Sequence, residues 1–69
     1  MKRSNIKRLE NVARDLRTEA NRIYKVCETD GDNMQGKDSY FLGDVYKDLV
    51  YMAGAMERIA KVAREDAEI

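Results

Sequence analysis

Apolar positions recur along this chain with the period of an α-helix over two long stretches, which are separated by a polar connection. At about 100° per residue, the first stretch gathers Ile6, Leu9, Val12, Ala13, Leu16, Ala20, Ile23, Tyr24, Val26 and Cys27 on one side. The second gathers Phe41, Leu42, Val45, Tyr46, Leu49, Met52, Ala53, Met56, Ile59, Ala60, Ala63 and Ala67. No segment alternates every second residue as a half-buried strand would. The pattern predicts an all-α chain of one domain, 1–69: a helix over about 5–29, a connection over about 30–38 and a helix over about 39–67, folded as an antiparallel two-helix hairpin.

The ends of these elements carry their own signals. Ser4 or Asn5 can cap the first helix, and Gly31 can take the left-handed conformation that closes one. The connection, Thr29 to Asp38, is dense in Asp, Asn and Gly. Asp38 or Ser39 can cap the second helix, with Gly43-Asp44 as a later alternative start. Gly54 falls inside the second pattern, where it costs about 1 kcal/mol of helix propensity.

Each apolar stripe covers roughly 140–160° of helix surface, wider than a seam between only two helices needs. Both stripes therefore call for more partners than one hairpin supplies, and the simplest arrangement is a four-helix bundle of two hairpins, or a higher symmetric oligomer. Ile6, Ala13, Ala20 and Cys27 recur every seventh residue with Leu9, Leu16 and Ile23 between them. In the second helix Leu42, Leu49, Met56 and Ala63 alternate with Val45, Met52 and Ile59. Small residues at one position and large ones at the other predict close, interdigitated packing. The expected oligomer core is Leu9, Leu16, Ile23, Leu42, Leu49, Met52, Met56 and Ile59.

Composition narrows the function. The 69 residues include no proline, histidine or tryptophan and a single cysteine. Zinc sites of the usual kind and Cys/His or Ser/His catalytic pairs are therefore missing, and the chain reads as non-enzymatic, with no cofactor and no metal. Thirteen basic and thirteen acidic side chains cancel, which argues against a dedicated DNA binder. The balance is uneven along the chain: residues 1–28 hold eight basic and four acidic groups, a net +4, and residues 29–69 hold five and nine, a net −4. That difference favours antiparallel pairing of the two helices. Cys27 has no partner for a disulfide, which together with the lack of an apolar run of membrane-spanning length predicts a cytoplasmic chain without membrane contact.

The acidic connection invites comparison with a calcium loop. Counted from Asp30, Asp32 fits, but the fifth, sixth and twelfth positions are Met34, Gln35 and Phe41 where oxygen ligands, glycine and glutamate are needed. Turn chemistry accounts for these residues without a cation. The acidic pairs Asp44/Asp48 and Glu65/Glu68 lack the matching second pair that a helical magnesium site requires.

Two outward stripes remain as candidate surfaces. On the second helix Tyr40, Lys47, Tyr51 and Arg58 lie opposite the apolar stripe, and aromatics between cations suit a protein hot spot or a stacked nucleotide. On the first helix Arg3, Lys7, Arg14 and Lys25 lie opposite the apolar face among neutral Asn11, Thr18 and Asn21, a ridge able to follow phosphates. Against both stands the reading of a plain solvated helix face.

In architecture, a 60-to-70-residue helical hairpin that dimerises resembles the plasmid-encoded RNA-binding four-helix-bundle proteins; this likeness is at the level of fold and implies RNA binding only by analogy. Short self-associating chains without catalytic residues also resemble phage-encoded regulators and inhibitors of host defence. The leading expectation is an oligomeric helical interaction protein that binds a macromolecule, a protein partner first, as a phage or mobile-element regulator. The alternatives are a sponge for a small nucleotide signal at an inter-subunit site and an RNA-binding bundle.

Overall fold

The computed structural model describes residues 1–68, with Glu68 by its backbone alone. Two helices account for nearly all of it: α1 spans Arg3–Asp30 and α2 spans Asp38–Glu68, with a short 3-10 turn at Gly31–Asn33 between them. They pack antiparallel side by side into a rod whose Cα atoms extend 53 × 14 × 12 Å. Among the described residues there is no strand, and no helix is long and apolar enough to cross a membrane.

Both helices start earlier than their cap residues suggest. Lys2, in extended conformation, ends the non-helical chain, and its carbonyl accepts the N–H groups of Asn5 and Ile6, each at 3.0 Å. No side chain caps this end. Ser4 and Asn5 are thus inside the first turn, and Asn5 instead accepts a hydrogen bond from Arg8 at 3.0 Å. At the other end of α1, Gly31 stays right-handed at φ −54°, because the chain tightens into the 3-10 turn, closed by Met34 N–H on the Gly31 carbonyl at 3.3 Å, rather than stopping. The left-handed residue is Gly36, at φ 60°, and it is the position where the connection turns back. From there α2 runs from Asp38 straight through Gly43, so the later start at Asp44 is not used. Asp38 in the first turn of α2 places a negative charge where the helix dipole favours it.

The hairpin closes on alanine. The fully buried residues are Ile6, Ala13, Ala20, Ala53 and Ala60, and Ile6 is the largest side chain among them. On α1 this is the predicted seven-residue column, continued by half-buried Cys27. On α2 the seam differs from the expectation. It follows Tyr46, Ala53 and Ala60, while Leu42, Leu49, Met56 and Ala63 are only half-buried beside it and Val45, Met52 and Ile59 are exposed. Alanine opposite alanine lets the two backbones come close, and the bulky residues then have no room between the helices. At the connection end the seam widens to admit aromatic rings, with Tyr24 and Tyr46 meeting at 6.0 Å between centroids and tilted by 48°.

Two cross-helix ion pairs mark one side of this seam. Arg17 donates to Glu57 through Nε at 2.8 Å and Nη2 at 2.6 Å. Arg64 donates to Glu10 through Nε at 3.0 Å and Nη2 at 2.6 Å. Leu9, Leu16 and Ile23 on α1, and Leu42, Leu49 and Met56 on α2, each lie one helical step to the other side of their seam columns. The hairpin consequently has a charged face and an apolar face, with an alanine seam between them.

Candidate functional site

The apolar face is a double row. Nearest the seam are half-buried Leu9, Leu16, Ile23, Leu42, Leu49 and Met56, and outside them are Val12, Val26, Val45, Met52 and Ile59. Met52 is 43% exposed and Ile59 46%. Every residue expected in an oligomer core therefore lies on this one surface, and none of them is closed off by the hairpin itself. Toward the open end of the hairpin, Met1, Ile59, Val62 and Ala63 border a shallow hollow, with Arg58 and Asp66 at its edge.

The charged face holds a groove of about 710 Å³ that follows the seam. Its cationic lining is Lys7, Arg14 and Arg17 from α1 and Lys61 and Arg64 from α2, its acidic lining Glu10, Glu57 and Glu65. Asn11, Thr18 and Asn21 complete the α1 wall. The two bidentate pairs sort these charges. Hydrogen bonding to Arg64, against the cost of desolvation, holds the Glu10 carboxyl below its ordinary range. Hydrogen bonding to Arg17 does the same for Glu57, and Glu57 in turn raises the Arg17 guanidinium further above its already high value. Lys7 and Lys61 enter no hydrogen bond or ion pair among the described residues, and Arg14 reaches only Asp15, at 3.6 Å with both side chains well exposed.

The predicted basic ridge is divided by this geometry. Lys7 and Arg14 line the groove. Arg3 stands at the open end beside Ile6, Arg64 and Ala67. Lys25 lies on the outer surface of α1 with Glu28 at 3.6 Å. Arg17, Lys61 and Arg64 lie outside the predicted ridge, and the seam brings them to the same groove; the signal available for two of them was the same order of charges at the same seven-residue spacing on both helices, Glu10 then Arg17 and Glu57 then Arg64, which an antiparallel hairpin makes complementary.

The Tyr40, Lys47, Tyr51 and Arg58 stripe runs along the outside of α2, away from the seam. Tyr40 is 74% exposed and Tyr51 73%, so neither ring packs within the hairpin. The Arg58 guanidinium folds back over Gly54, where a Cβ would meet its Nη1 at 3.5 Å. Among the described residues no three Asp, Glu, Cys or His side chains converge as a metal site would require.

In comparisons with protein families, with curated proteins and with solved structures, nothing matches this chain.

Proposed function

We propose that this chain is a non-enzymatic interaction protein whose hairpins associate through their apolar faces into a four-helix bundle and bind a macromolecule with the surfaces left outside. The observation that carries the reading is the open double row of Leu, Ile, Val and Met across the seam from the ion pairs.

Its size fits a second copy of the same chain. The hairpin exposes 5541 Å², whereas a compact monomer of 8.0 kDa exposes about 4,450 Å². The excess, about 1,100 Å² per chain and about 2,200 Å² for two, falls in the range of obligate homodimer interfaces. A second hairpin offers the same seven-residue repeat of large apolar residues, which suits knobs-into-holes packing of like faces. The buried core of one hairpin, four alanines and one isoleucine, is too small to stabilise a chain of this length well without such burial.

The test is sedimentation velocity or native mass spectrometry at micromolar concentration, on the wild type and on a Met52→Asp, Ile59→Asp double variant. The reading expects an even-numbered assembly for the wild type and loss of that assembly in the variant. A monomeric wild type would overturn it.

A further inference from the structure

We infer that the groove between α1 and α2 on the charged face binds the phosphate backbone of a nucleic acid through Lys7, Arg14 and Lys61. This names the partner class for the interaction reading above, and it rests on that reading only in requiring the groove to stay outward when the apolar face is covered. The two faces lie on opposite sides of the seam, so packing hairpins by one leaves the other open.

The formal net charge of zero conceals a strong sorting of charge in space. Acids concentrate in and around the connection, at Asp30, Asp32 and Asp38, and on the outer flanks of the helices, at Asp15, Glu19 and Asp48. The groove holds five cations and three carboxylates, and two of those carboxylates are already saturated by bidentate arginines. What faces solvent in the groove is therefore positive. Lys7 and Lys61, one from each wall, present ammonium groups that enter no hydrogen bond or ion pair among the described residues, although the charge of Lys7 also bears on Glu10. Long cations on both sides of a concavity, with a low-dielectric wall behind them, attract an extended anion more strongly than the same charges spread over a convex helix.

The spacing suits a polymer of phosphates better than a single small anion. Lys7 and Arg14 are seven residues apart on α1, about 10.5 Å along the axis. Three nucleotides of a duplex strand advance about 10.2 Å. Asn11, Thr18 and Asn21 continue the same wall with neutral hydrogen-bonding groups, the residue types that accompany cations at phosphate and sugar oxygens.

The test is fluorescence anisotropy with labelled RNA and DNA of one sequence, each as a duplex and as a single strand, titrated with the full chain. Three phosphate contacts give a log–log salt slope of about −2.7 on duplex DNA and about −2.1 on a single strand, a loss of about 40-fold and about 20-fold in affinity between about 50 and 200 mM salt. Neutralising Lys7→Gln, Arg14→Gln and Lys61→Gln together should weaken binding about tenfold or more at low salt and flatten the slope by about one per cation removed. The control Lys2→Gln, Arg8→Gln and Arg22→Gln, which removes as many charges from residues that do not line the groove, should change it less; circular dichroism verifies that both variants are helical. RNA and DNA binding both satisfy the inference, and a preference for RNA adds a 2′-hydroxyl contact. Absence of binding to all four probes at low salt would overturn it, as would equal weakening by the two triple variants. The same samples weighed by native mass spectrometry separate the two readings: an assembly that binds nothing removes the groove alone, and a monomer that binds removes the bundle alone.

Discussion

Arg17 and Glu57, forty positions apart in sequence, meet across the seam in a fork-to-fork contact at 2.6 and 2.8 Å. The geometry is directional and pins one helix to the other beside the buried alanines. Arg17→Glu should therefore lower the melting temperature, because it sets a carboxylate against Glu57. The exchange Arg17→Glu with Glu57→Arg should restore most of the loss. Thermal unfolding followed by circular dichroism measures all three chains, and a double exchange no better than the single change would show that the pairing contributes nothing of its own.

Acid should weaken the same contacts. Glu10 and Glu57 both have their carboxyls lowered by the arginines that bind them, so the folded state holds fewer protons than the unfolded one near their titration. Their contribution is complete above the ordinary glutamate value of about 4.3 and disappears as pH falls through the lowered folded values. A Glu10→Gln, Glu57→Gln variant should differ from the wild type most at neutral pH and least at about pH 2. A difference in melting temperature that is constant with pH would count against the linkage.

Two glycines should respond in opposite directions to the same substitution. Gly54 has ordinary helical surroundings and room for a methyl group, so Gly54→Ala should stabilise the fold by about 1 kcal/mol, or about 4–8 °C for a chain of this size. Gly36 sits at φ 60°, where a Cβ costs about 1–2 kcal/mol, so Gly36→Ala should destabilise it. Urea titrations of the two variants give the comparison directly.

The seam should be intolerant of bulk while the face beside it is not. Ala53 is fully buried between the helices, and Ala53→Leu should cost about 1–3 kcal/mol through overpacking. Met52→Leu, one residue away on the open face, conserves volume and should cost less than about 1.5 kcal/mol. Chemical unfolding would separate these, and equal losses would mean that the two positions share one environment.

Helix number, order and approximate limits were legible from the spacing of apolar residues, as was the α1 side of the seam. The pattern alone did not choose the α2 side, for a physical reason. The Tyr46, Ala53, Ala60 column and the Leu42, Leu49, Met56 column both repeat every seven residues, so spacing does not decide between them. Close backbone approach selects the small set, since alanine fits where leucine does not. The cap residues misled for a related reason. Ser4 and Asn5 favour a helix start locally, but Lys2 supplies a carbonyl for Asn5 and Ile6, and the helix extends to use it. As for the groove, residues far apart in the chain build it, and only the pairing of Glu10 with Arg64 and Arg17 with Glu57 brings Lys61 opposite Lys7 and Arg14.

An alanine seam has one weakness that the ion pairs remove. Because Ala13, Ala20, Ala53 and Ala60 are alike in shape, sliding one helix past the other by a full heptad in either direction would still set an alanine of α1 against an alanine of α2. In one direction that slide brings Glu10 to Glu57, and in the other Arg17 to Arg64, so either misalignment places like charges together. The four charged residues thus act as a key that favours a single alignment of the hairpin, a task that the alanines cannot perform for themselves.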